Sequence, residues 1–267
     1  VIHTIAEKEG FSGLWKVISE LRKCSIHYIL DFHNNLRSRI VSLFLNKIVF
    51  RVSKHRLREW FLWIGRSFAN GILKKQSYYR YEDYISLFSS VTSEKNSTRH
   101  DDVLEKSKTI AICTESAWIY KEWSIENFIL LSRRLKEQGY KVIWLGLKKE
   151  IQVDSDACDE DLRGKLEFQN LVSVLKSAAL LICNDAGMLH LSEYLGVPVV
   201  GIYGPTSPSL GFAPRLQKSA VVEKTLWCRP CSKNGGFCHR IGDQKQKCLK
   251  IISVEDVLST SIRLMNC

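Results

Sequence analysis

Between residues 109 and 204, short apolar runs alternate with amphipathic stretches, and this alternation constrains the fold more than any other feature of the chain. "TIAIC" reads as a strand, and "SIENFILLSRRLKEQG" reads as a helix with Ser124 at its N-cap and Gly139 at its end. "KVIWLG" is the next strand. "NLVSVLKSA", "ALLICN", "MLHLSEYLG" and "PVVGIYG" follow as helix, strand, helix and strand. Strands separated by helices form right-handed βαβ units around a parallel sheet, so the expected class is α/β.

Upstream, "SIHYILDF" reads as a strand ending near Asp31, and "NNLRSRIVSLFL" as a helix behind it. The polar stretch "TSEKNSTRHDDVLEKSK", residues 92–108, suits a linker and divides the chain into 1–105 and 106–267. There is no repeat at a solenoid period. No apolar run reaches the roughly 18 to 20 residues that span a bilayer. The first residues lack the features of a signal peptide. They read as the end of a strand, so the chain is expected to be part of something longer.

The formal charge is +11, from 39 Lys and Arg against 28 Asp and Glu, and it is concentrated. From Arg37 to Arg80 there are eleven basic residues and a single acid, Glu59, interleaved with Trp60, Phe61, Trp63, Ile64 and Phe68. Such a stretch suits an amphipathic helix meeting an anionic membrane surface, or an ordinary solvated helix. Nucleic acid is not expected as a partner, because no nucleic-acid motif accompanies the charge.

Nine cysteines without a secretory signal point to a reducing, cytoplasmic setting. Four of them, Cys228, Cys231, Cys238 and Cys248, fall close together, with His239 beside the third. Cys-x2-Cys followed by two more thiols suits a tetrahedral structural zinc, although the later spacings are those of neither a ribbon nor a finger. Thiols packed in a loop, or an oxidation-prone cluster, fit the same pattern.

In an open α/β sheet, ligands sit at the carboxyl ends of strands, against helix N-termini. Asp185, Ala186 and Gly187 lie at such an end. Gly187 allows close backbone approach, Asp185 suits accepting hydrogen bonds from sugar hydroxyls, and His190 stands one turn on. The plain alternative is that Asp185 is an N-cap and His190 a helix residue facing its neighbours. Ser116 and Lys121 follow the "TIAIC" strand, Glu150 follows "KVIWLG" with a carboxylate suited to a ribose diol, and "GPTSP" adds the hydroxyls of Thr206 and Ser207. The polar groups at these four strand ends together suit a sugar nucleotide.

"NDAGMLHLSEYLGVPVVGIYGPTSPS", "AWIYKEW", "WLGLKKE" and "LDFHNNLRSR" together resemble glycosyltransferase family 9, the bacterial heptosyltransferases of lipopolysaccharide core synthesis, and do so in family order. The resemblance implies a GT-B architecture of two Rossmann-like domains, the C-terminal one binding the nucleotide sugar. It implies inverting, metal-independent transfer of a heptose from ADP-heptose to an acidic, lipid-linked saccharide acceptor at the inner face of the inner membrane, with no cofactor. By position, Lys121 corresponds to the diphosphate-binding lysine and Glu150 to the ribose-binding acid. Asp185, Gly187 and His190 fall on the family's residues around the sugar diphosphate. Ala186 stands where the family often has threonine, and Thr114-Glu115 where it has a small pair, which puts a negative charge near the diphosphate. The family's general-base aspartate belongs to an N-terminal loop this chain is expected to lack. The N-terminal domain is therefore expected to be incomplete, with Asp31 the fallback base. A UDP- or GDP-sugar donor, and a non-catalytic nucleotide-binding module, stay open.

Overall fold

The structure is a computed structural model that describes residues 10–73, 79–80, 82–83, 107–147, 156–232 and 234–266. The described chain divides into two compact units, one drawn from 10–56 and 79–83, the other from 57–73 and 107–266.

The smaller unit opens with helix α1 (Gly10–Arg22). Strand β1 (Tyr28–Asp31), helix α2 (Leu36–Leu45) and strand β2 (Ile48–Arg51) then form a parallel βαβ unit. α2 starts where it does because Asn35 and Ser38 close a reciprocal capping box, and it ends on Asn46 in the left-handed region at φ 48°. The edge of Trp15 in α1 packs on Phe44 of α2 with ring centroids 4.6 Å apart.

Asp31 is buried at the end of β1, and both its carboxylate oxygens are engaged. Oδ1 accepts the backbone N–H groups of His33 (3.1 Å) and Asn34 (2.7 Å), and Oδ2 accepts Ser38 Oγ (2.9 Å) and faces Arg51 Nε at 3.4 Å. Three hydrogen bonds and the ion pair with Arg51 thus tie Asp31, the fallback base, into the β1–α2 turn.

The larger unit holds helix α3 (Arg56–Leu73), strand β3 (Thr109–Cys113), helix α4 (Ile125–Glu137) and strands β4 (Lys141–Leu145) and β5 (Glu160–Asp161). It continues with helix α5 (Phe168–Ser177), strand β6 (Leu180–Asn184), helix α6 (Gly187–Tyr194) and strands β7 (Val199–Tyr203) and β8 (Ala220–Glu223). Helices α7 (Lys247–Lys250) and α8 (Val254–Met265) complete it. Every strand pair is parallel, and the sheet order is β5-β4-β3-β6-β7-β8.

Both faces of the sheet are covered, which is why its strands read as unbroken apolar runs. Ile110, Ile112, Trp144, Ile182 and Ile202 point to a core closed by Phe128, Leu131 and Leu135 of α4 and Val257 and Leu258 of α8. The alternate residues Ala111, Cys113, Leu145, Cys183 and Tyr203 meet Leu171 and Leu175 of α5 and Leu189 of α6 on the other face. Ser124 caps α4 by accepting the N–H of Asn127, and Gly139 follows its end at φ 81°. Although the sequence division placed α3 with the first half, it groups with the larger unit, where Leu62, Ala69 and Leu73 bury against Leu210.

Beyond β7, the chain turns back over a buried arginine. Arg229 donates to the carbonyls of Tyr203, Gly204, Thr206 and Lys224 and pairs with Glu223 Oε2 at 2.8 Å. A guanidinium so fully enclosed is tolerable because every polar edge has an acceptor. Arg229→Met is expected to destabilise this unit by about 3 to 5 kcal/mol, since it strands a buried carboxylate and several carbonyls. Denaturant unfolding measures it, and a loss below about 1 kcal/mol would mean the turn holds its shape without the guanidinium.

Candidate functional site

The sheet order reverses between β3 and β6, and an α/β sheet opens a crevice at the carboxyl ends of the strands on either side of such a switch point. The loops leaving β3, β6 and β7 meet there. Lys121 ends a 3-10 turn (Ile119–Lys121) in the first loop, Asp185 directly follows β6, and Thr206 lies just beyond β7.

Lys121 Nζ stands 2.6 Å from Asp185 Oδ2 and 3.0 Å from the Asp185 carbonyl oxygen, and Thr206 Oγ1 donates to the same Oδ2 at 2.6 Å. The side chains of Lys121 and Asp185 are only 13% and 8% exposed, so the carboxylate has lost most of its water and depends on these two donors. An ammonium has three protons. Asp185 takes two of them, and among the described residues the third has no protein acceptor.

Asn184 sets this geometry. Its side-chain Oδ1 accepts the Trp123 backbone N–H at 3.0 Å, and its Nδ2 donates to the Thr114 carbonyl at 2.6 Å, so the loop leaving β3 is clamped at both ends to the end of β6. Trp123 is buried and donates from Nε1 to the Ile252 carbonyl at 3.0 Å. Gly235, at φ 75°, lets a further loop lie on the lysine stem, since a Cβ there would fall 2.6 Å from Lys121 Cγ. Neither Asn184 nor Trp123 was legible as a site residue, because their roles exist only once two distant loops are adjacent. Thr206 was legible as a hydroxyl at a strand end, though not as the partner of Asp185.

The remaining expected residues divide. Asp185 is not an N-cap: Ala186 holds that position, in an extended conformation and without a side-chain bond. Gly187 opens α6 with nothing within 4 Å of where a Cβ would lie. His190 is one turn into α6, its ring 5.9 Å from that of Phe212. The residue is exposed overall, yet protein crowds its ring enough to lower its pKa below the ordinary 6.5, a shift that Asp185 and Glu193 oppose. The neutral imidazole is therefore its form at neutral pH.

Ser116 works within its own loop, its N–H donating to Glu122 Oε1 at 2.9 Å and its hydroxyl accepting the Trp118 N–H at 3.4 Å. Glu115 turns toward the end of β4, where it accepts the Leu147 N–H at 2.9 Å and fills the space above Gly146. Glu150 lies outside the described residues.

For Cys228, Cys231, Cys238 and Cys248 a structural zinc was one reading, beside thiols packed in a loop and an oxidation-prone cluster. Among the described residues, no three His, Cys, Asp or Glu side chains are grouped to hold a metal ion. Two of the sulfurs accept hydrogen bonds. Arg240 Nε donates to Cys228 Sγ at 3.3 Å, and the Gln246 N–H to Cys238 Sγ at 3.4 Å, while a ring nitrogen of His239 lies 3.2 Å from the Cys231 carbonyl. Burial raises the Cys231 thiol well above its usual range and pushes Cys248 up to about 11.

The chain is similar to known proteins. The sequence profile described as glycosyltransferase family 9 (heptosyltransferase) matches residues 14–239. Lipopolysaccharide heptosyltransferase 2 of Escherichia coli K12 is 27% identical over 116 residues, 40% of this chain and 33% of that protein. The lipopolysaccharide core heptosyltransferase OpsX of Haemophilus influenzae is 22% identical over 226 residues, 76% of this chain and 64% of that one. This chain thus spans a third to somewhat under two thirds of the length of these relatives.

Among solved structures, a family 9 glycosyl transferase from Veillonella parvula matches with a TM-score of 0.66 at 19% identity, over 97% of this chain and 79% of that one. The E. coli ADP-heptose heptosyltransferase II matches at 0.61 and 20%, over 96% and 81%. The E. coli heptosyltransferase WaaC with ADP matches at 0.62 and 15%, over 97% and 79%. At these identities the structures speak for the fold, a GT-B-like α/β arrangement with parallel sheets. The profile spans well over half of the 267 residues, and the chain belongs to glycosyltransferase family 9.

Proposed function

We propose that this chain carries the donor site of an inverting glycosyltransferase that moves a heptose from an ADP-sugar to an acidic, lipid-linked saccharide of the lipopolysaccharide core, without a catalytic metal. The observation that carries the reading is the Lys121–Asp185–Thr206 cluster at the sheet's switch point, where one ammonium proton has no acceptor among the described residues. The family supports sugar transfer, and the ADP held by the related WaaC supports an adenine nucleotide. In this reading 1–105 forms the acceptor side and 106–267 the donor side, with α3 packed on the latter.

Each residue then has a task. As the bond to the sugar breaks, negative charge builds on the departing diphosphate. Lys121 meets it from a position already fixed by Asp185, so no reorganisation is needed at the moment of reaction. The free N–H groups at the start of α6 offer further donors, and Gly187 lets the diphosphate approach them. His190, neutral, donates one hydrogen bond. Ser116 and Glu150 complete the nucleotide's contacts, the latter on the ribose. The base that deprotonates the acceptor hydroxyl is not among the residues assigned here.

The acceptor side uses charge. A groove of about 580 Å³ in the smaller unit is lined by Arg39, Lys47 and Arg51, and α3 exposes Trp60, Trp63, Ile64 and Phe68. Among the described residues, no helix is long and apolar enough to cross a membrane. Surface aromatics beside basic residues support peripheral contact with an anionic cytoplasmic leaflet.

Two outcomes are expected. Lys121→Ala should lower kcat about 100-fold in a transfer assay with ADP-heptose while KM changes little. A rise in KM at unchanged kcat would assign the lysine to ground-state binding alone. In vesicle co-sedimentation, the protein should bind phosphatidylglycerol-containing vesicles in preference to neutral ones. A Trp60→Ser, Trp63→Ser double variant should lose at least ~10-fold of that binding, and unaltered binding would remove α3 from the membrane surface.

A further inference from the structure

The turn that carries Lys121 has little packing of its own. None of Ile119, Tyr120 and Lys121 is buried, Ile119 is 71% exposed, and Trp118 before it is 45% exposed. Within the turn, the Lys121 N–H donates to the Trp118 carbonyl at 2.9 Å and the Glu122 N–H to the Ile119 carbonyl at 3.2 Å. A single 3-10 turn of this kind is too short to be rigid by itself. Asn184 fixes the loop at Thr114 and Trp123, on either side of the turn.

Contacts on the turn itself come from residues 234–246. Gly236 lies against Trp118, where a Cβ would fall 3.4 Å from the indole, and Gly235 lies on the Lys121 stem. Lys245 Nζ stands 4.8 Å from the centre of the Tyr120 ring. Gln246 Nε2 donates to the Ile119 carbonyl at 3.1 Å, on an oxygen that also accepts the Glu122 N–H and has a lone pair for each. Four consecutive residues, Trp118 to Lys121, thus each meet this one segment.

The segment is fastened in turn. Arg240 is bound to Cys228 Sγ, and the Gln246 N–H to Cys238 Sγ. The Gln246 carbonyl accepts the N–H groups of Leu249 at 2.9 Å and Lys250 at 3.1 Å, which ties the residue to α7. Gln246 itself has φ 57° and ψ 25°, in the left-handed region where glycine is at ease and a glutamine is strained. Its hydrogen bond to Ile119 is one that glycine there could not make.

We propose that Gln246 is a positioning residue for the transfer reaction, fixing through the Ile119 carbonyl the turn that carries Lys121. The restraint on the turn rests on these contacts alone, and its part in transfer rests on the donor reading above.

Gln246→Gly tests it, because glycine accepts the positive φ and the change removes only the side chain. Hydrogen exchange read by NMR should show the Lys121 and Glu122 amides exchanging ~10-fold faster, with those of β3 unchanged. In transfer from ADP-heptose, kcat should fall about 10-fold with KM little changed, while the unfolding midpoint stays no lower than that of the unaltered protein. Added to Lys121→Ala, the same change should slow the enzyme no further, since the glutamine acts through the lysine. Gly235→Ala, whose Cβ would fall 2.6 Å from Lys121 Cγ, should also lower kcat. Unchanged exchange in the turn would overturn the inference. So would an unchanged kcat in Gln246→Gly where Lys121→Ala slows the enzyme, or a loss that persists in full beside Lys121→Ala. If exchange quickens but Lys121→Ala leaves kcat unaltered, or the protein transfers no heptose, the restraint on the turn stands and the donor reading falls.

Discussion

The larger unit is organised around a single buried carboxylate. Asp185 sits at the end of a central strand with its side chain 8% exposed, a position where an uncompensated charge would cost several kcal/mol. It is tolerated because two other loops deliver donors to it, Lys121 from the loop after β3 and Thr206 from the turn after β7. Each of those loops has an anchor of its own. Asn184 clamps the first to the end of β6, and Arg229 gathers the carbonyls of the second. Remove either anchor and the charge loses its partners. The apparatus that balances one carboxylate also fixes an ammonium at the switch point of the sheet.

Much of this architecture was legible because burial on both faces leaves a strong trace. β3, β4, β6 and β7 are short apolar runs between helices of period 3.6, and the structure places them where the pattern did. β8 was missed, being an edge strand of four residues, and β5 because two residues make no pattern. α8 was also missed, although Ser253 and Asp256 spell a capping box at its start. The strand-end residues Lys121 and Asp185 were readable from position and charge. Their contact with each other was not, nor was the part played by Asn184, since a side chain that bonds two backbones leaves no signature in its own neighbourhood. Asp31, readable as a carboxylate at a strand end, has hydrogen bonds to the β1–α2 turn that its position alone did not announce.

α3 links the basic, aromatic-rich stretch to the chemistry. It buries Leu62, Ala69 and Leu73 against the larger unit and leaves most of its large apolar side chains in solvent. A helix with that inventory and no break would simply be amphipathic. The break at Arg66 turns one guanidinium onto Trp227, and Asn70 reaches the hydroxyl of Ser207, next in the chain to Thr206. Strain of this kind persists only where the surroundings over-determine it. Here the burial of Ala69 and Leu73 and the bond to Ser207 fix the helix beyond the break.

The central claim is that the crevice beside Lys121 and Asp185 holds an adenine nucleotide, and thermal unfolding of the protein with ADP, UDP and GDP tests it most directly. At a hundred times its dissociation constant, ADP should stabilise the fold by about 2.7 kcal/mol, with smaller shifts for UDP and GDP and most of the ADP shift lost in Lys121→Ala. Equal shifts with all three nucleotides, no shift with any, or an ADP shift unchanged by the lysine variant would contradict it.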